Sequence, residues 1–599
     1  MLTLLLKHKG CRGLQVAGVL SLLLSPSRIW GQTVVDVVAK AGDFTPELAV
    51  GESFSAFRGS SDEEAPRISD DGTVFSEFRL TGTTGARDGG YAVFPVTGPG
   101  KIAVREGDPV PGLTGAVLIQ PPTQVAHAAD GSWVWIGSLS GTGINTSNDR
   151  ALFRNAGSSF DLLAREGQSI STLVGGNSSF LTLTNAIQTP LAGQGGLWGF
   201  VQDGAIYRQE GGPMRRLMAT GDSAGVDLTW RGLSSDARMA ADGSLLAQAG
   251  VRLTDTSTTL RTYGLAAPTG AGTSVLLQET TSAPGSPFRV LGTNELRTFS
   301  VLSGGRFAAV MDLQPLESGF PTSALFVGGP EQATERALQF GSPVPGTAAG
   351  TVNNIFSTDA SGPWIVAWVG VANDPNVGAA VMMRRFDDPA WSTVITNGQQ
   401  PDDYPEFMVG GFSRLAVAAD GTVALGASVA NYPLGGTASN AGLFLYRAGK
   451  LTLPAYIGLT LASGDTIGSR FSMFRRSGTG GGGFYGEGRF LNASGQAVVR
   501  VELFKPGQVG VKDALLRITP APLPKVELPY TFVRQGNTVV LEVNGRVGYQ
   551  YTFEQSEDLV EWTPMEPPVD GTDVAIQFQA TIQTSPSKRF FRVEESSAQ

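Results

Sequence analysis

Short apolar runs separated by turn residues recur along the whole chain, among them VLLQ (275–278), FAAV (307–310) and WIVAWV (364–369). Gly, Ser and Thr crowd between them, so the pattern predicts strands and tight turns rather than helices. One eleven-residue phrase is written three times: AADGSWVWIGS (128–138), AADGSLLAQAG (240–250) and AADGTVALGAS (418–428). A catalytic loop is normally written once, so this recurrence points first to architecture.

The turn glycine of that phrase marks a longer unit. It recurs at Gly72, Gly131, Gly195, Gly243, Gly305, Gly362, Gly421 and Gly480, with spacings from 48 to 64 residues. A second marker, a Gly followed by a polar residue, keeps step at Gly42, Gly107, Gly167, Gly221, Gly341, Gly398 and Gly464, while Glu279 holds the expected place of one missing copy. A third, seen in YAVF, ALFR, AIYR, ALFV, AVMMRR and GLFLYR, lies between the other two. Asp-Gly or Gly-Gly between apolar runs marks a hairpin, because glycine reaches positive φ without a Cβ clash. Each unit then supplies about four strands, and such units in tandem predict a β-propeller. Eight markers predict eight blades, or seven if the unit around Gly195 or Gly480 is not a blade. TVVDVVAKAGD, at the start, reads as a strand that closes the last unit and hides two sheet edges; QVGVKDALLRI competes for the same edge.

The expected organisation is a signal peptide over 1–31, a propeller over 32–518, a Pro-rich linker over 519–529 and a small β-sandwich over 530–599. In the first segment Lys7, Lys9 and Arg12 precede the apolar run 14–24, which is too short for a membrane span, and Gly31 suits the position before a cut. Cys11 precedes that run, so the mature chain has no cysteine and keeps one histidine, His127. The linker TPAPLPKVELP favours extended backbone, and alternating runs such as NTVVLEV and YQYTFEQS follow it.

Charge narrows the partners. Across 599 residues only 16% are charged, the net charge is −9, and the basic residues are scattered. Nucleic acid and anionic membranes, both bound through clustered positive charge, are not expected.

With these phrases assembled, the repeats resemble the NxxGxxAF tandem-repeat proteins of exported bacterial chains, with VREGDPVPGLTG and AADGTVALGA as the best copies over about 34–510. That resemblance implies secretion and a propeller-like array, and it brings no catalytic residues. The tail, through YTFEQSEDLVEW (551–562) and KRFFRV (588–593), resembles a C-terminal module of verrucomicrobial and planctomycete exported proteins, which implies attachment or spacing.

Candidate chemistry is sparse. The Asp-Gly turns, including Asp70 and Asp71, supply too few oxygens for calcium, which takes six to eight, so neither a metal nor a cofactor is expected, calcium at a turn being the alternative that a chelator would reveal. In AADGSWVW the acid and glycine touch, whereas the Asp box of sialidase-like propellers separates them by one residue. The pairs Arg105–Glu106 and Arg165–Glu166 read as blade-to-blade salt bridges. His127, alone beside a turn, reads as polar surface, and without a second His or a Cys the usual triads and zinc sites lack their parts. Two-carboxylate glycosidase chemistry survives, although no pair stands out. Trp133, Trp135, Trp198, Trp230, Trp364 and Trp368 lie in strand runs and read as core. At the repeated turn, Gly421→Val is expected to destabilise its unit by ~1–3 kcal/mol and Asp420→Ala by much less. The function expected is a secreted or cell-surface, monomeric, non-enzymatic scaffold binding a glycan or a cell-surface protein. A carboxylate-dependent carbohydrate hydrolase and a purely structural repeat protein are the alternatives.

Overall fold

Each recurring apolar run forms a strand, and the turn glycine reverses the chain just before it. In a computed structural model of the chain, residues 33–597 are described except for 58–65, 169–188, 254–258, 267–272, 279–287, 293–298, 316–321, 431–440, 473–489, 522–529, 557–562, 582–589 and several stretches of one to four residues. The described residues form an all-β structure without an α-helix.

Eight antiparallel sheets of four or five strands follow one another between residues 34 and 519. The first contains Ser53–Phe57, Arg67–Ile68, Val74–Thr81, Gly89–Phe94 and Lys101–Arg105; the seventh contains Met408–Val417, Val423–Ala430, Ala441–Arg447 and Lys450–Tyr456. The third sequence marker forms the strand that pairs with the one following the turn, as Gly89–Phe94 pairs with Val74–Thr81 and Ala441–Arg447 with Val423–Ala430. The unit around Gly195 is a full four-stranded sheet.

The hairpin that joins the first strand of a sheet to the next has one geometry in several copies. The Ala128 N–H donates to Ser132 O at 2.8 Å, the Gly131 N–H donates to Ala128 O at 3.1 Å, and Gly131 has φ +82°. Such a three-residue loop ends in a left-handed bulge position that glycine fills without strain. The same bonds recur at Ala240–Ser244, Ala418–Thr422 and Asn492–Gln496. The last of these corrects the register of the eighth unit. Gly480 lies outside the described residues, and Gly495, with φ +80°, holds the turn. In the third unit Gly196 takes the bulge position and Gly195 the one before it. The second marker also shifts once: Gly458, not Gly464, donates to Ile467 O as Gly107 donates to Leu118 O.

A hydrophobic core fills each space between successive sheets. Tyr91 and Phe75 of the first meet Trp133 and Phe153 of the second; Val310 and Leu325 of the fifth meet Ile365 and Met382 of the sixth; Val366 and Val381 meet Leu425 and Phe444 of the seventh. One cluster joins Leu443 and Leu445 of the seventh, Val499 and Leu516 of the eighth, and Phe54 and Phe78 of the first. Each large side chain so buried contributes about 1.5–3 kcal/mol.

The ends of the array meet through hydrogen bonds as well. Val34–Lys40 pairs antiparallel with Lys512–Thr519, which pairs on its other side with Ala497–Phe504. The two segments that competed for one edge in the sequence are therefore neighbours in one sheet. Thr519 ends a strand, and most of the expected linker lies outside the described residues. Beyond it, two small antiparallel sheets share a core in which Val543, Ile576 and Phe578 face Tyr551 and Phe553.

Candidate functional site

The hairpin turns touch in succession on one face of the array. The Asp70 N–H donates to Ala129 O at 2.8 Å, the Gly195 N–H to Asp130 Oδ2 at 2.8 Å, the Gln194 N–H to Ala241 O at 2.9 Å and the Gly304 N–H to Asp242 Oδ2 at 2.6 Å. Asp359 accepts from Ser300 Oγ on one side and from the Val417 N–H on the other. The Asp420 N–H donates to Ala493 O, and the Ala493 N–H donates to Asp70 Oδ1 at 2.9 Å, so the eighth turn meets the first. Asp130 and Asp242 are thus joints between neighbouring units: one oxygen caps its own turn, as Asp130 Oδ1 accepts the Ser132 N–H at 3.0 Å and Asp242 Oδ1 the Ser244 N–H at 2.9 Å, and the other reaches across.

Between the first two of these turns opens a cleft of about 360 Å³. Ser69, Asp71 and Thr73 border it on one side, Asp130 and Ser132 on the other, and Asn155 from the strand Arg150–Ala156 of the second sheet completes its polar rim. Its floor is apolar, with Phe75 and Trp133 both buried. Asp71 accepts from Ser69 Oγ at 2.5 Å and from the Thr73 amide and hydroxyl at 2.9 and 3.0 Å. Burial pushes its carboxyl up, but these donors outweigh it and hold the group below the usual carboxylate value. Asp130 also takes the Ser132 hydroxyl at 2.6 Å, and Asn155 Oδ1 takes Trp135 Nε1 at 3.0 Å. Such a cleft offers fixed acceptors and hydroxyls at its rim.

Beneath the floor lies His127, which is buried and not on the surface. Its Nε2 and the Tyr91 hydroxyl are 2.9 Å apart, and its ring lies 4.8 Å from Phe75 and stacks on Trp133 at 5.7 Å. Burial, with the nearby Arg67 charge, holds the imidazole neutral, well below its ordinary value. Nothing local in the sequence signalled this burial, because Tyr91 belongs to the neighbouring sheet. Trp133, Trp135, Trp198 and Trp230 are core residues, and Trp364 and Trp368 are half-buried.

The Arg-Glu pair of the first unit joins strands of its own sheet, not neighbouring blades. Arg105 grips Glu52 through two bonds of 2.6 and 3.0 Å, both side chains being largely buried. Glu106 takes the Gly89 N–H at 2.9 Å and Arg79 at 3.2 Å. Both pairs sit at the end of the sheet where Lys101–Arg105 finishes, and each partner belongs to the first unit. Among the described residues no three His, Cys, Asp or Glu side chains gather as a metal cluster.

The solved structures similar to this chain include an acylaminoacyl peptidase from Pyrococcus horikoshii, at 10% identity and TM-score 0.31 over 69% of this chain; the match spans 56% of the peptidase. A Dos1 propeller matches at 8% identity and TM-score 0.29, over 70% of this chain and 88% of that one. An α-L-arabinofuranosidase from Fusarium graminearum matches at 8% identity and TM-score 0.24, over 66% and 91%. No curated protein matches. Residues 96–512, which run from the first sheet into the eighth and leave out the C-terminal sheets, match a family described as a family of unknown function, DUF7453; with more than half of its length covered, the chain belongs to that family.

Proposed function

We propose that this protein is an exported eight-bladed β-propeller with a C-terminal β-sandwich, and that it acts as a non-enzymatic scaffold binding a neutral glycan on the face formed by the hairpin turns. The leader-like segment 1–31 supports export, and no helix among the described residues is long and apolar enough to cross a membrane. Eight sheets, the cores between them and the bond from Ala493 to Asp70 support the closed ring. The resemblance to NxxGxxAF repeats accords with both.

The observation that carries the binding reading is the cleft between the first two turns. Its rim combines carboxylates, hydroxyls and an amide, the groups that exchange hydrogen bonds with sugar hydroxyls. Asp71, held ionised by Ser69 and Thr73, is an acceptor and not a general acid, and this favours binding over hydrolysis. A panel of neutral and acidic polysaccharides, scored for both retention and turnover, tests the proposal. Retention of a neutral glycan, lost in Asn155→Ala and unaccompanied by turnover, is expected. Release of reducing ends would assign the protein to the hydrolases instead.

A further inference from the structure

The first and second sheets carry the same acidic pair, but only one of them has its cation. In the first sheet the Leu80 N–H donates to Asp88 O and the Glu106 N–H to Gly89 O. In the second the Leu139 N–H donates to Asp149 O and the Glu166 N–H to Arg150 O. Asp149 and Glu166 therefore stand where Asp88 and Glu106 stand. Between Asp88 and Glu106 lies the Arg79 guanidinium, at 2.6 and 3.2 Å. The residue in that position of the second sheet, directly before Leu139, is Ser138.

Ser138 carries no charge to take the place of the guanidinium. Ser138 Oγ bonds Gln120 Oε1 at 3.3 Å. Glu166 is only 6% exposed, and its Oε2 has no hydrogen-bond partner. Burial first, and the neighbouring Asp149 carboxylate next, push the Glu166 carboxyl above its ordinary value, as burial and Asp88 raise Glu106 in the first sheet, so the unpartnered Oε2 and not this shift sets the second sheet apart. Two acids held together in a partly buried place repel unless a cation or a shared proton relieves them.

We propose that Asp149, Glu166, Ser138 and Gln120 bind a calcium ion in the place that the Arg79 guanidinium fills in the first sheet. The donor set is all oxygen, as a hard cation requires, and two carboxylates with two neutral oxygens leave room for water in the irregular coordination that calcium tolerates and magnesium does not. This site lies in the second sheet at the end opposite the hairpin turns and is independent of the glycan cleft.

Thermal unfolding of the full chain, stripped with a chelator and then titrated with calcium, tests the site. The wild type should show a saturable rise in its melting midpoint. Glu166→Gln, close to isosteric, should abolish that rise. Ser138→Arg should abolish it too while raising the metal-free midpoint, because it restores the guanidinium of the first sheet; this variant keeps the test open if Glu166→Gln folds poorly. Absence of a calcium response in the wild type, or a response that survives either variant, overturns the proposal.

Discussion

Asp420 and Gly421 sit side by side in the repeated turn and fail in different ways. Gly421 has φ +82°, and a Cβ there would lie 3.1 Å from the Trp364 ring, so Gly421→Val is expected to cost ~1–3 kcal/mol through backbone strain and a displaced indole. Asp420 is not the mild position that its turn setting suggests. Its carboxylate is 2% exposed, accepts the Thr422 N–H at 2.9 Å and holds Arg447 at 2.8 Å. Asp420→Ala removes the carboxylate partner of that guanidinium, leaving its bond to Ala521 O, and is expected to cost about 3–5 kcal/mol, more than Gly421→Val; urea denaturation of the two variants ranks them. A second residue-scale expectation concerns pH. The hydrogen bonds from Arg105 lower the Glu52 carboxyl from 4.5 to about 2. A depressed carboxylate adds stability above its unfolded value, and that contribution is lost as pH falls from about 4.5 through about 2. Glu52→Gln should flatten this part of the stability–pH curve, measured by denaturation at a series of pH values.

At the scale of elements, the outer strand of the seventh sheet shows how an exposed edge is covered. The loop before Met408 folds along Lys450–Tyr456: the Asp402 N–H donates to Leu451 O, Asp402 Oδ2 accepts the Leu451 N–H at 2.8 Å, and Asp403 accepts the Leu453 N–H at 3.0 Å. Carboxylates here occupy donors that would otherwise recruit another strand. Replacing both aspartates by alanine should speed hydrogen exchange at the Leu451 and Leu453 amides far more than at Leu443 and Leu445, and should increase aggregation. The hairpins were legible in the sequence because positive φ selects glycine, and the strands because alternation and β-branching are local. The register slips came from places where glycine is abundant for other reasons: the run 480–483 outweighed Gly495, and GlyAsp at 464–465 outweighed Gly458. The cleft was not legible. Asp71 and Asp130 stood out only as repeated turn acids, and what brings them to one opening is the packing of one sheet on the next. His127 and Glu52 were misread or missed for the same reason, since their partners Tyr91 and Arg105 lie 36 and 53 residues away.

For the whole molecule, the proposed ring makes the first strand a structural necessity and not a flexible terminus. Removing residues up to Ala41 strips the partner from Lys512–Thr519, exposes an apolar edge and loosens the cluster shared by the seventh, eighth and first sheets. The truncated chain should unfold at lower temperature and over a broader range than the full chain, as calorimetry would show. Small-angle scattering of the full chain should give a compact disc with a small appendage; a long rod would exclude the ring. The pairing of Val34 with Thr519 has one more consequence. The chain enters the array and leaves it at the same spot, so a tether fixed before residue 34 or after residue 519 pulls on a single point. Tension would then load Val34–Lys40 and Lys512–Thr519 first and spare the other seven sheets, and the cleft between the first two turns would keep its shape under shear that a chain held at opposite poles would not withstand.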